Sequence, residues 1–176
     1  MRSRRVRLAA GVAGAAAVAV VTATALASGG NDLRTDLVGF EEVPAVSTDG
    51  EGKFKARIVK GGREVRWELR YEDLTTPVQQ AHIHFGERSV NGGISVFLCT
   101  NLGNGPAGTQ RCPDEGTVEG TFDEDDVIGP TGQGIAAGEL DELMRAIRAG
   151  VAYANVHTDM FTGGEIRGQF DRRGRD

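Results

Sequence analysis

Residues 52–60, GKFKARIVK, alternate strictly: Phe54, Ala56 and Ile58 share one face of an extended chain, and Lys53, Lys55 and Arg57 share the other. The stretch EVRWELRY, residues 64–71, repeats the pattern, with Val65, Trp67, Leu69 and Tyr71 opposite Arg66, Glu68 and Arg70. Period-two alternation of this kind marks strands of an antiparallel sheet with one face in a core and the other in water. Gly61-Gly62 lies between the two runs and supplies the positive φ angles of a tight hairpin. Further short runs bounded by Gly, Pro, Asn or Asp fall at about 34–40, 79–85, 94–99, 117–122, 151–157 and 164–170. Some eight short strands in one domain predict an all-β sandwich or barrel. One segment changes period. In GELDELMRAIRAG, Leu140, Leu143, Met144 and Ile147 recur at i, i+3, i+4 and i+7 before Gly150, which predicts one short amphipathic helix near 139–149.

The N-terminus has a different character. Arg2, Arg4, Arg5 and Arg7 precede an uncharged, Ala/Val-rich run from Leu8 to Ala27 that ends Ala25-Leu26-Ala27. A basic segment, an apolar run and small residues at the end describe a secretory signal peptide, residues 1–27, cleaved between Ala27 and Ser28. A run of this length can also span a bilayer as an anchor, but its Ala-rich content and cleavage site favour removal. Ser3-Arg4-Arg5 resembles part of a twin-arginine signal, so the export route stays open. The expected organisation is then a short lead-in over 28–35, one domain over 36–171, and a charged tail over 172–176. Four arginines and no acidic residue leave with the signal, taking the net charge from −5 to −9. An acidic exported domain is a poor partner for nucleic acid or anionic lipid. No membrane span is expected after cleavage, and the mature chain is expected to be a monomer, secreted or held at the envelope.

Two cysteines, Cys99 and Cys112, flank a Gly/Asn-rich loop. In an oxidising compartment such a pair reads as a disulfide.

The chain holds three histidines. His82 and His84 lie in AHIHFG, and His157 in VAYANVHT. On a strand, His82 and His84 project from one face while Ala81, Ile83 and Phe85 project from the other; His157 shares its face with Tyr153 and Asn155. Two readings are open. The imidazoles converge on one copper or zinc ion, as an H-x-H pair with a remote histidine allows, or they are hydrogen-bonded polar residues on the wet face of a sheet. Ring nitrogens within roughly 3–5 Å of one another would support the first, because metal–nitrogen bonds are about 2.0–2.1 Å. Two other groupings carry less. Asp123, Glu124, Asp125 and Asp126 form an acidic run without the spacing of a calcium loop. Glu165 and Arg167 lie two apart, with Glu42 a candidate partner for Arg167, and read as an ion-pair clasp on the terminal strands. No serine sits in a nucleophile context such as G-x-S-x-G, and the Gly-rich NLGNGPAGTQ lacks the lysine and helix of a phosphate loop.

Several motifs occur together in one order: Glu42-Val43-Pro44; His84-Phe85-Gly86 with Asn91-Gly92; and Asn155-Val156-His157-Thr158 followed by Gly164-Glu165-Ile166-Arg167-Gly168. In these, and from about Leu37 to Phe170, the chain resembles the CHRD domain, named for its copies in chordin and also found singly in exported bacterial proteins. The resemblance implies an immunoglobulin-like, Greek-key-like β-sandwich and an extracellular interaction module without established catalysis. HIHFGERSVNGG also resembles, more locally, the H-V-H segment of Cu/Zn superoxide dismutases, with Val156-His157 and Arg167 at matching places. That family uses a fourth, bridging histidine, which this chain lacks. The expected function is therefore non-catalytic: an exported module binding an extracellular protein or envelope component. The alternative is a copper or zinc protein using His82, His84 and His157.

Overall fold

A computed structural model describes residues 31–170. The signal peptide, the Ala27–Ser28 junction and the tail 172–176 lie outside the described residues. Eight antiparallel strands are seen: β1 (Asp32–Val38), β2 (Glu51–Val59), β3 (Glu64–Glu72), β4 (Val78–Phe85), β5 (Gly93–Thr100), β6 (Gly116–Phe122), β7 (Ala152–Thr158) and β8 (Ile166–Gln169). Among the described residues one α-helix, α1 (Leu140–Ala149), precedes β7, and four single-turn 3-10 helices lie in the connections. The strand order is β5-β4-β7-β8-β1-β2-β3-β6. The hairpins β1–β2–β3, β4–β5 and β7–β8 are thus interleaved: the chain crosses over after β3 and returns after β5, and the sheet curls into a nearly closed barrel or sandwich. No helix among the described residues is long and apolar enough to cross a membrane.

The alternation seen in β2 and β3 has the expected consequence. Phe54, Ala56, Ile58, Val65, Trp67, Leu69 and Tyr71 are buried. The opposite face carries cross-strand ion pairs, Lys53–Asp36, Lys55–Glu68 and Arg57–Asp32, all substantially exposed and therefore screened by water and salt. Between these strands Lys60, Gly61 and Gly62 all have positive φ. The helix packs as its periodicity predicts, burying Leu140, Leu143, Met144 and Ile147, and Gly150 ends it at φ 74° with its N–H on the carbonyls of Ala146 and Ile147.

The remaining seam lies between β5 and β6, the two ends of the sheet. Gln110 bridges it, its Nε2 donating to Leu98 O at 3.4 Å and Glu119 O at 3.0 Å. Cys99 on β5 and Cys112 beside this bridge form a disulfide. Its loop is short, so replacing both cysteines by serine is expected to cost about 3 kcal/mol. A denaturant titration of the oxidised wild type against the double variant measures it; equal midpoints and slopes would contradict the estimate.

Candidate metal centre

Pairing of β4 with β7 places His84 opposite Tyr153, His82 opposite Asn155 and Gln80 opposite His157, so His157 is diagonal to His82 on the same face. On the far side of β7, Asn155 pairs with Arg167 and Tyr153 with Gln169 of β8. A polar patch therefore spans β4, β7 and β8. The sequence pattern predicts this face to be wet, and it is not. His82 is 0% exposed, His84 and His157 each 6%, and every residue of β7 is buried. The cause is a cover of irregular segments. Residues 86–92 supply Gly92 O to His84 and Val90 O and Asn91 Oδ1 to Arg167. Residues 159–165 supply Thr162 O to His157, and the turn before Pro44 inserts Glu42 against Asn155.

These partners fix which ring nitrogen is free. A carbonyl only accepts, so Nδ1 of His84, 3.0 Å from Gly92 O, and Nδ1 of His157, 3.0 Å from Thr162 O, both carry the proton. Each Nε2 is left with its lone pair. His157 Nε2 faces His82 Nδ1 at 3.2 Å, while His84 Nε2 and His82 Nε2 are buried without a hydrogen-bond partner. One coordinating nitrogen from each of the three rings lies within 4.8 Å of the other two. With the proton of His82 on Nδ1, that ring hydrogen-bonds His157; with the proton on Nε2, three lone pairs converge. The second arrangement could hold a metal ion, with carbonyls already orienting two of the rings.

The surroundings keep the rings neutral. Burial pushes the His84 pKa down to about 4 against the pull of the Gly92 carbonyl, with the His157 and Arg167 charges adding to the depression. His82 is pushed down further by burial and its two histidine neighbours, and His157 is lowered by burial. Neutral imidazole is the form that ligates metal. The walls are aromatic: Phe97 meets His82 edge-on at 4.3 Å, and Tyr153 stacks parallel on His84 at 4.9 Å. The guanidinium of Arg167, 1% exposed, lies 4.1 Å from the centre of the Tyr153 ring.

The other candidate residues separate from this cluster. Glu42 takes the Asn155 side chain, and Arg167 hydrogen-bonds Asn91 and Val90, so the two acids and the cation do not form one clasp. Burial raises the Glu42 pKa to about 7, although Asn155 and the Arg167 charge oppose it. Glu165, 0% exposed, is the hub of a separate anchor, accepting from Thr48 Oγ1, Thr75 N and Oγ1, and Thr158 Oγ1. Burial would raise its pKa, yet these hydrogen bonds prevail and hold it low. The acidic run caps its own turn, Asp123 Oδ1 accepting from Asp125 N and Asp126 Oδ2 from Asp123 N. Gly92, Thr162, Tyr153 and Phe97 complete the centre; Gly92, beside Asn91 in a motif, and Tyr153, on the strand face of His157, carry a signal in the sequence, and Thr162 and Phe97 carry none.

The structure thus defines an all-β, disulfide-bearing domain with a buried three-imidazole cluster. The CHRD domain family matches residues 33–170, and the chain belongs to that family. No curated protein and no solved structure matches it.

Proposed function

We propose that this chain is an exported, non-catalytic binding module whose ligand is one copper or zinc ion held by His82, His84 and His157. The observation that carries the reading is the convergence of three ring nitrogens within 4.8 Å, with two rings oriented by backbone carbonyls. The basic and apolar N-terminus supports export, as does the disulfide. Binding is favoured over turnover because a redox cycle at copper needs an open coordination position, and the free nitrogens of His82 and His84 are shut off from solvent.

Metal analysis after dialysis against copper or zinc tests the assignment. Wild-type protein is expected to retain about one ion per chain, and His84→Ala to bind roughly 100-fold more weakly or worse, since loss of a mere orienting partner already costs 10–100-fold. His157→Ala serves as the second variant, with circular dichroism checking the fold of each. Equal metal content in the wild type and both folded variants would sink the assignment. Docking of an extracellular protein or envelope component is a second reading. It is favoured by Phe40, Val90 and Met160, which each of the covering segments leaves exposed; a Phe40→Ser, Met160→Ser protein that keeps its cell-envelope association would count against it.

A further inference from the structure

We propose that the three-histidine centre selects cuprous copper, Cu(I), over both zinc and Cu(II). This rests on the metal reading of the same residues and adds the identity and oxidation state of the ion.

The first argument is the number of donors. Among the described residues the cluster consists of His82, His84 and His157 alone, with no thiolate or carboxylate joining it. Structural zinc completes a tetrahedron with four ligands, and catalytic zinc fills its fourth position with water. Cu(II) takes a tetragonal set of four or more. Cu(I) shares the filled d shell of zinc and so has no ligand-field preference, but with a single charge it is satisfied by three nitrogens. The second argument is access. A fourth ligand from solvent must reach an ion whose donors are 0–6% exposed. Phe97 and Tyr153 wall two of the rings, and the nearest backbone oxygens, Gly92 O and Thr162 O, are engaged by the outer nitrogens.

The third argument is charge. All three donors are neutral, so the complex carries the whole charge of the ion. The cost of desolvating an ion grows with the square of its charge, so a dication costs about four times what a monocation does in the same site. Behind Tyr153 stands the buried Arg167 guanidinium, whose positive charge acts on His84. The buried carboxyl of Glu42 is held by Asn155 rather than turned to the histidines. Positive charge is already present, and a second unit on the metal is penalised. Finally, two nitrogens on one ion sit roughly 3.3–3.6 Å apart for bonds of this length; His82 Nδ1 and His157 Nε2, at 3.2 Å, need almost no movement.

The test is an anaerobic titration of the metal-free mature protein with Cu(I) in competition with bicinchoninate. Parallel titrations use zinc against a colorimetric chelator and Cu(II) directly. The expected result is one Cu(I) per chain, bound more tightly than zinc or Cu(II), with X-ray absorption reporting three nitrogens and no fourth ligand. Zinc or Cu(II) bound as tightly as Cu(I), or an oxygen ligand on the cuprous ion, overturns the selectivity and leaves the three-histidine assignment standing. Failure of all three ions to bind overturns both.

Discussion

Acidification from pH 7 to pH 5 is expected to destabilise the metal-free protein, and the sign follows from which groups the fold keeps neutral. The histidine pKa values are lowered on folding, to about 4 for His84 and further for His82. Below the unfolded value of 6.5 the unfolded chain therefore binds protons that the folded chain refuses, and stability falls with pH. At pH 5, about 1.5 units below the unfolded value, His82 and His84 each cost roughly 2 kcal/mol; His157, also lowered, acts in the same direction. Glu42 opposes them. Its folded pKa of about 7 lies above the unfolded value of 4.5, so its contribution is fully present below 4.5 and is lost as pH rises through 7. Between pH 7 and 5 it returns about 2 kcal/mol. The net loss is then at least about 2 kcal/mol, or a thermal midpoint lower by about 5 °C or more.

A variant separates the two signs. Glu42→Gln keeps a side-chain oxygen for Asn155 and removes the titration, so its midpoint should fall more steeply between pH 7 and 5 than that of the wild type. Above pH 7 the same variant should match or exceed the wild type, because it no longer buries a carboxylate. Scanning calorimetry of both proteins in the presence of a chelator measures this. A wild-type midpoint that rises or stays level on acidification would show that the rings are not held neutral.

Why the burial of these rings was hidden in the sequence, while the strands were plain, has a physical answer. Alternation reports the two faces of a strand, and in β2 and β3 one face meets the core and the other meets water, so pattern and burial agree. The helix was legible for the same reason, since Leu140, Leu143, Met144 and Ile147 form one apolar stripe. In β4 and β7 the pattern still identifies the faces: Ala81, Ile83, Ala154 and Val156 enter the apolar core, and the histidines take the other side. What alternation cannot report is that 39–44, 86–92 and 159–165 fold over that other side. Loops carry no period, and the contacts that hold these are carbonyls meeting side chains distant in sequence, such as Gly92 to His84 and Thr162 to His157. The convergence of His157 with the H-x-H pair depends on β7 lying beside β4, a neighbour relation set by the crossovers after β3 and after β6. Local pattern holds no trace of it. Glu42 and Arg167, paired on charge alone in the sequence, take different hydrogen-bond partners in the fold, Asn155 for Glu42 and Asn91 and Val90 for Arg167, while the Arg167 charge still acts on Glu42.

The most damaging single methyl group in the molecule is expected at Gly92. A Cβ there would lie 1.8 Å from Phe85 O and 2.5 Å from Phe85 C, backbone atoms at the end of β4 that cannot swing aside. The reciprocal position is almost as tight, since a Cβ on Gly86 would meet the Gly92 backbone at 3.1 Å. Two chain segments touch here without side chains, and the contact sets the place of the Gly92 peptide. Its carbonyl accepts from His84 Nδ1 and its N–H donates to Tyr153 Oη at 3.1 Å, so the two peptide groups flanking one residue orient both His84 and the ring stacked on it. Gly92→Ala must push the 86–92 segment off β4, at a cost of about 3 kcal/mol or more by backbone shift and overpacking. Turning His84 away from its carbonyl should also weaken metal binding by roughly 10–100-fold. Gly61→Ala is the control. Its added Cβ meets nothing within 4 Å, and a φ of 70° should cost only about 1 kcal/mol with metal affinity unchanged. Tyr153→Phe divides the two effects, because it removes the anchor on the Gly92 N–H while leaving the backbone contact whole; it should lower metal affinity more than it lowers the midpoint. If Gly92→Ala folds with wild-type stability and wild-type affinity, the Gly92 peptide does not position His84.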